Sequence, residues 1–523
     1  MLTGFMGTGK TTLGRAVADR LGRSFVDMDD LIEARAGKSI ARIFEEDGES
    51  SFRDLESQLC RELAEQDGLV VATGGGALVD PVNRAVMSRK AVVVCLQAEV
   101  DEILRRVGDG EERPLLRNAN PRRDVEHLLA ARQRAYASIP WQLPTTDRST
   151  DELVSDLMRL STVQSLRVSY PDGHYDIHIG SGILSYLGGA LRAAGVGASS
   201  RIALISNDIV APLYAESVTQ ALNAFGFDTK LCVLPDGEVH KTLSTVHQLY
   251  GQLLRADLDR SGTVLALGGG VTGDIAGFAA ATYMRGVRFV QIPTSLLAMT
   301  DASVGAKTGV NLSQGKNLVG AFKQPALVFI DLDVLRTLPE VELRSGMAEV
   351  IKHAVIADAS LLEDLVAMGS AEAADITPEL LARSIEVKIK VVEDDPFEEG
   401  RRAILNFGHT VGHALERLTD YRLRHGEAVA IGMIAASQVS VALGRASPEV
   451  TELVEAALKV AGLPVKSPSL PVEDVIEAMR YDKKRKAKRL RWVLPRAIGE
   501  MEITTEVPLG VVRAVLTEMG ARG

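Results

Sequence analysis

Short apolar runs alternate along the chain with longer stretches whose apolar residues recur at helical spacing. Met1-Leu2-Thr3, Ser24-Phe-Val-Asp27 and Leu69-Val-Val-Ala72 read as strands, and Thr12–Leu21 and the segment around Phe52–Glu56 as helices. A closing helix is predicted over Asp151–Leu160. Arg167–Tyr170 and Tyr175–Ile179 then alternate apolar and polar around Pro171-Asp-Gly173, the pattern of paired strands. Apolar strands at Arg201–Ser206, Lys230–Leu234, Thr263–Leu267 and Phe289–Thr294 are separated by helical stretches. From about Val334 the strand signals fade and long helical patterns take over. The longest apolar run, Ala428–Leu443, is broken by Gln438 and two serines, which predicts a buried helix and not a membrane span. These patterns divide the chain into a domain at 1–160, a polar linker at 161–166, an α/β subdomain at 167–332 and a helical subdomain at 333–523. A chain of 523 residues exceeds what one core supports.

Composition changes this picture little. A net charge of −10 argues against nucleic-acid binding. Cys60, Cys95 and Cys232 lie far apart in apolar surroundings, which suits a reducing compartment and offers no cysteine metal site. Met1 runs almost directly into a glycine loop without a signal peptide, so a cytoplasmic location and no membrane partner are expected. The first strand is unusually short, which suggests either a start further upstream or a weakened sheet edge.

Gly4-Phe-Met-Gly7-Thr8-Gly9-Lys10-Thr11 meets the P-loop pattern at every fixed position. Its backbone amides and the helix N-terminus after it would cradle a polyphosphate, with Lys10 on the β and γ phosphates and Thr11 on Mg²⁺. Asp27 and Asp29, two apart on the strand, should share one face and could hold Mg²⁺ and orient a hydroxyl acceptor; a helix cap is the plainer use. Gly74, Gly75 and Gly76 follow a strand and would admit a small ligand close to the backbone. With FVDMDD, SSFRDLE, VATGGG, ERPLL and ARQRAYA in order, residues 1 to about 160 resemble shikimate kinase. The resemblance implies ATP contacts from Gly7, Thr8, Gly9, Lys10, Thr11, Thr12 and Arg113, the last in a lid around Gly108–Pro121. It implies Mg²⁺ held by Thr11 and Asp27. Shikimate would be gripped by Arg53, Arg132 and Gly74–Gly76, with Asp29 on the hydroxyl to be phosphorylated. Adenylate and gluconate kinases share the P-loop in comparable form but not FVDMDD with VATGGG.

In the second half, Gly268-Gly-Gly270-Val271-Thr272-Gly273-Asp274 follows a strand and opens a helix, the context of a dinucleotide fingerprint, though no acidic residue marks the ribose position. Asn406–Glu427 holds His409, His413 and His425. His409 and His413, four apart, would point the same way on a helix, so spacing alone makes them the chelating pair of a metal site. Glu349, Lys352 and His353 share one helical face upstream.

DGEVHK, GGGVTGDIAGF, QIPTSLLAMTDASVG, GKNLVGAF, MAEVIKH, LNFGHTVGHALE and HGEAVAIGM occur in order, and Arg167 to about Gly520 resembles 3-dehydroquinate synthase. The resemblance moves the metal, Zn²⁺ or Co²⁺, onto Glu349, His409 and His425 and leaves His413 facing substrate, with His353 structural. It places NAD against Asp208, Asp236, Gly237, Glu238, Lys241, Gly270, Val271, Thr272, Gly273, Asp274, Thr294, Ser295, Lys307, Lys316 and Asn317. It gives Asp301, His413, Lys307, Lys352, Lys388, Arg402, Asn406 and Arg285 to a substrate carrying carboxylate and phosphate. The implied reaction converts 3-deoxy-D-arabino-heptulosonate 7-phosphate to 3-dehydroquinate and phosphate. NAD⁺ would take and return a hydride, and a homodimer through this half is implied.

Two features depart from the pattern. The family's Gly-Gly-Lys is here Gly305-Ala306-Lys307, so the alanine is strained if its φ is positive. The basic run Lys483–Arg491 is expected to form a lip of the anionic substrate site, with Lys483 or Lys484 on phosphate. The fold class expected is α/β: a P-loop, NMP-kinase-like parallel-sheet domain, then an NAD-binding α/β subdomain and an all-helical metal-binding subdomain. The competing reading is another sugar-phosphate cyclase or a polyol dehydrogenase behind a non-catalytic kinase-like module.

Overall fold

The computed structural model describes residues 1–107, 120–396, 400–484 and 490–522. It divides into two compact units. One comprises Met1–Val163, Gly182–Ser200 and Ser217–Asp228, and the other Gln164–Ser181, Arg201–Glu216 and Thr229–Gly523.

The first unit is built on a parallel sheet of β1 (Leu2–Gly4), β2 (Ser24–Asp27), β3 (Leu69–Ala72), β4 (Val94–Gln97) and β5 (Trp141–Pro144), in the order β2-β3-β1-β4-β5. The short first strand is therefore central and fully buried, not a weakened edge. Three residues suffice because the P-loop must begin where the strand leaves the sheet, and both neighbours hold it by parallel pairing. One further expectation changes here. Asp27 ends β2 and caps the helix Met28–Ala36, accepting from the Asp29 amide at 3.1 Å. Asp27 and Asp29 therefore do not alternate along one strand. Asp29 sits in the first turn of the helix, which brings its carboxylate toward Gly74. The segments 182–200 and 217–228 also pack within this unit, where Tyr186 meets Trp141 edge-on at 6.3 Å.

The second unit holds a seven-stranded sheet. Its strands are β6 (Gln164–Tyr170), β7 (Gly173–Gly180), β8 (Arg201–Asn207), β9 (Asp228–Leu234), β10 (Thr263–Gly268), β11 (Arg288–Pro293) and β14 (Leu327–Asp331), in the order β6-β7-β14-β11-β10-β8-β9. The hairpin β12 (Lys307–Leu312) and β13 (Gly315–Phe322) stands between β11 and β14 in sequence. β6 and β7 pair antiparallel, as their alternation predicts, and β10 is parallel to β8 and β11 with Gly268 opposite Pro293. The carboxyl ends of β8, β10 and β11 thus lie level, the edge where open α/β sheets bind ligands. Among the described residues beyond Leu332 the unit is helical except for one hairpin, β15 (Trp492–Ala497) and β16 (Glu500–Thr504), so this part is not all-helical as expected. The apolar run at 428 forms the buried helix His425–Ala442. Among the described residues no helix is long and apolar enough to cross a membrane.

Candidate active sites

In the first unit, Gly7 and Gly9 have φ of 76° and 93°, and Gly9 caps the helix Lys10–Leu21. The Lys10 ammonium donates to the carbonyls of Gly4 and Phe5, both at 3.0 Å, inside the loop that would receive phosphate. Thr11 Oγ1 donates to Asp27 Oδ2 at 2.8 Å, so the two groups expected on Mg²⁺ already touch. The same unit has a cleft of about 320 Å³ lined by Arg53, Glu56, Gly76, Asn83 and Arg132 among others. A Cβ on Gly76 would collide with the Arg53 guanidinium, and one on Gly74 would come within 2.8 Å of Asp29 Oδ1 and Glu56 Oε1. These glycines are what let Arg53, Glu56 and Asp29 converge. Glu56 went unnoticed in sequence. It is 2% exposed and accepts from Arg53 Nη1 at 2.5 Å; burial raises its pKa against the pull of that arginine. Its signal was its place one turn after Arg53 on the same helical face. Arg132 stacks over the Phe5 ring at 5.6 Å, and Tyr136 donates to the Gly75 carbonyl at 2.7 Å. Arg113 and its loop, and the side chains of Lys483 and Lys484, lie outside what the structure describes.

In the second unit, the helix Gly270–Thr282 opens at the end of β10, with Val271, Thr272, Gly273 and Asp274 in its first turns. Thr294 and Ser295 follow β11, and Asp208 follows β8. Lys241, 4% exposed, ion-pairs with Asp274 and donates to Asn317 Oδ1 at 2.6 Å. Burial raises the Asp274 carboxyl to about 6 against the pull of Lys241. Asp236 and Asp208 are braced by each other: the Asp236 amide donates to Asp208 Oδ1 at 3.0 Å, and Asn207 donates to Asp236 Oδ1 at 2.5 Å. Asn311 Nδ2 donates to Glu238 Oε1 at 2.8 Å. Asn207 and Asn311 escaped sequence reasoning because lone asparagines carry no spacing signal. Lys316 lies 4.0 Å over the Tyr421 ring.

The helices Glu340–Ala357, His409–Leu418 and His425–Ala442 assemble the metal candidates. Gly426 makes this possible: its amide donates to Ser345 Oγ at 3.0 Å, and any Cβ there would strike the Ser345 backbone. Glu349, His409 and His425 each offer a ligand atom, all within 4.8 Å of one another. Glu349 is 0% exposed; Lys352 lies against one of its carboxylate oxygens as an ion pair, and His425 Nε2 lies 3.7 Å from the other. Burial alone would raise the Glu349 pKa; the positive charge of Lys352 and the adjoining histidines hold it well below the usual range. Burial alone would lower the His425 pKa, but the Glu349 and Glu416 carboxylates outweigh burial and raise it to about 10. A buried carboxylate converging with two imidazoles fits a metal cation, and two nitrogens with one oxygen suit zinc. His413 does not join this trio; its ligand atom groups instead with Glu416 and His425, and its ring centroid lies 5.1 Å from that of His409. His353 is fully buried with Nδ1 3.0 Å from Ser384 Oγ, apart from both groups.

Around the trio, Lys388 meets Asp301 Oδ1 at 2.5 Å, where Asp301 lies in the π-helical segment Ala298–Ala302. Arg402, 5% exposed, donates to the Gly305 carbonyl at 3.3 Å. Asn406 is exposed just before the His409 helix, and Lys307 is exposed at the start of β12. Arg285 is exposed in the turn that follows the Gly270–Thr282 helix.

Ala306 has φ of 61°, so its Cβ occupies the left-handed region. It is buried and joins Gly305, held by Arg402, to Lys307. Ala306→Gly should stabilise this unit by about 1 kcal/mol or less, the relief of the Cβ clash reduced by the looser unfolded chain. Urea unfolding followed by tryptophan fluorescence in a Trp141→Phe background, where Trp492 is the sole reporter, would measure it; a loss of stability would contradict the strain.

Three family models match: shikimate kinase over residues 6–161, and the N-terminal and C-terminal parts of 3-dehydroquinate synthase over 231–345 and 346–485. The chain is 48% identical over 361 residues to a 3-dehydroquinate synthase of Nostoc punctiforme, covering 68% of this chain and 99% of that protein. It is 45% identical to the 3-dehydroquinate synthase of a Synechocystis species, covering 67% of this chain and 99% of the other. Among solved structures, the 2-epi-5-epi-valiolone synthase ValA of Streptomyces hygroscopicus, with NAD⁺ and Zn²⁺ bound, aligns at a TM-score of 0.61 and 28% identity. That alignment covers 67% of this chain and 98% of ValA. A 2-deoxy-scyllo-inosose synthase complexed with carbaglucose-6-phosphate, NAD⁺ and Co²⁺ aligns at 0.60 and 25%, covering 68% and 100%.

Proposed function

The chain belongs to the 3-dehydroquinate synthase family with a shikimate kinase ahead of it, and from that premise we propose how its own residues divide two reactions. It is a bifunctional shikimate-pathway enzyme that phosphorylates shikimate with ATP and converts 3-deoxy-D-arabino-heptulosonate 7-phosphate to 3-dehydroquinate and phosphate. A dehydrogenase or a different cyclase is not favoured, since identity to the dehydroquinate synthases is far higher than to the other cyclases.

For the kinase, the P-loop amides, Lys10 and Thr12 bind the ATP phosphates, and Thr11 with Asp27 takes Mg²⁺. Arg53 and Arg132 grip the shikimate carboxylate, a task that suits a planar guanidinium. Asp29 accepts the proton of the attacking hydroxyl. Glu56 fixes Arg53 in place through their hydrogen bond. Gly76→Ala would displace the Arg53 guanidinium and should raise the KM for shikimate roughly 10-fold or more, since a shift of about 1 Å in a positioning group is costly. Steady-state kinetics would show it, and an unchanged KM would remove Arg53 from the binding role.

For the synthase, Glu349, His409 and His425 would hold zinc, or cobalt in its place. The observation that carries this assignment is the convergence of one ligand atom each from Glu349, His409 and His425 within 4.8 Å of one another around a fully buried carboxylate. When bound, the metal supplies Lewis-acid polarisation of substrate oxygens. NAD, against the Gly270 helix start, Asp208, Asp236–Glu238, Lys241, Thr294, Ser295, Lys316 and Asn317, supplies reversible hydride acceptance. Lys307, Lys352, Lys388, Arg402 and Asn406 bind the substrate's carboxylate and phosphate, and His413 and Asp301 assist the proton movements. Arg285, which is exposed, is proposed to contact the same substrate. The deciding experiment assays the purified full chain for both activities. Phosphate release from the heptulosonate phosphate should need NAD⁺, vanish with a chelator and return with zinc, while shikimate phosphorylation persists with Mg²⁺; no release under loaded conditions would sink the synthase assignment. We also propose a homodimer through the second half, testable by sedimentation. A cytoplasmic location is proposed too, consistent with three buried, unpaired cysteines.

A further inference from the structure

His425 stands between two carboxylates. Its Nε2 lies 3.7 Å from Glu349 Oε1, and its Nδ1 lies 3.5 Å from Glu416 Oε1. The two nitrogens of an imidazole point away from each other, so they cannot serve one ion together. Nε2 faces the group formed with Glu349 and His409, which leaves Nδ1 to Glu416. Glu416 is no surface acid: its side chain is 10% exposed, and it sits on the same helical face as His409 and His413, at spacings of seven and three residues. His409 is treated the same way. Its Nδ1 lies 3.1 Å from the Phe407 carbonyl, which fixes the proton there and leaves Nε2 for a ligand.

We propose that Glu416 is a positioning residue for metal binding: its carboxylate holds the Nδ1–H of His425, and so sets the ring's tautomer and aim and strengthens Nε2 as a ligand. This rests on the zinc assignment to Glu349, His409 and His425. A histidine that binds metal through one nitrogen commonly gives the other N–H to a carboxylate or carbonyl, and loss of that partner typically weakens metal binding about 10- to 100-fold. The chain supplies a different partner to each imidazole, a backbone carbonyl for His409 and a buried carboxylate for His425. A carboxylate is the stronger acceptor. It also brings a negative charge beside a site whose neighbours Lys352 and Lys388 are cationic.

The test is competition for Zn²⁺ between a chromophoric chelator and the full-length chain, wild type, Glu416→Gln and Glu416→Asp. Glu416→Gln keeps the side chain's size and an acceptor oxygen but loses the charge. The expected result is one zinc per wild-type chain, held about 10- to 100-fold more weakly by Glu416→Gln and to an intermediate degree by Glu416→Asp. The Co²⁺-substituted visible spectrum should shift as His425 loses its fixed orientation. NAD⁺ binding by the metal-free variant, made by residues on other elements, reports that the synthase unit is folded. Zinc affinity unchanged in Glu416→Gln would overturn the proposal while leaving the zinc assignment standing. Two zinc ions per wild-type chain, falling to one of unchanged affinity in Glu416→Gln, would overturn it in a different way, by making Glu416 a ligand with His413 and His425. No zinc on the wild-type chain would overturn the parent assignment with it.

Discussion

Glu349→Gln should leave the chain able to phosphorylate shikimate and unable to release phosphate from the heptulosonate phosphate. The substitution removes the one anionic ligand from a trio whose other members are neutral imidazoles when metal is bound. Lewis-acid stabilisation is worth several kcal/mol, so the synthase rate should fall by about 10³-fold or more. Chain-bound zinc, measured by atomic emission after gel filtration, should fall with it. The change also strips a buried lysine of its counter-charge, since Lys352 is 2% exposed and ion-paired to Glu349. Breaking a buried pair from one side costs about 3–5 kcal/mol. His409→Ala separates the two effects, because it removes a ligand and leaves the Lys352 pair intact. If His409→Ala kept both its zinc and its rate, the trio would be the wrong one. His413→Ala is the contrast: it should lower turnover with zinc content preserved, and outright loss of metal would restore His409 and His413 as the chelating pair.

The complementary result is expected at the other end of the chain. Lys10→Ala should cut shikimate phosphorylation by about 10²–10³-fold, the usual effect of deleting one preorganised donor to developing charge. Phosphate release by the synthase should be unchanged. Lys10 is held by its own loop, donating to Gly4 and Phe5 carbonyls at 3.0 Å, where it can exchange those partners for the β and γ phosphates without moving the backbone. Coupled ADP-release kinetics measures the loss. A Lys10→Ala chain of normal kinase rate would leave the first unit a nucleotide-shaped module without the chemistry assigned to it.

Where sequence reasoning slipped, the reason is geometric. Asp27 and Asp29 looked like two residues on one strand face, because a strand's period ends wherever the chain turns and the composition of FVDMDD does not mark the turn. The structure ends the strand at Asp27, makes it the helix cap, and still leaves it on Thr11. Glu56 and Glu416 were unremarkable acids on amphipathic helices until their burial beside Arg53 and His425 appeared. Ala306 was suspected from a departure in motif, and its backbone angle supplies the φ that makes the alanine costly.

What the sequence determined by itself is local. The P-loop, the glycine run at 74–76, the fingerprint at Gly268–Gly273 and the i, i+4 pairing of His409 with His413 follow from backbone rules that act within a turn or two, and motif order carried the family resemblance. What the tertiary structure decided is which of those local features meet. Glu349 lies sixty residues before His409. It reaches the histidines because Gly426 lets one helix press against Ser345 of another. That contact depends on close packing between helices, which no spacing along the chain encodes. So the nearest histidine in sequence, His413, grouped with a different carboxylate, and a distant glutamate completed the trio.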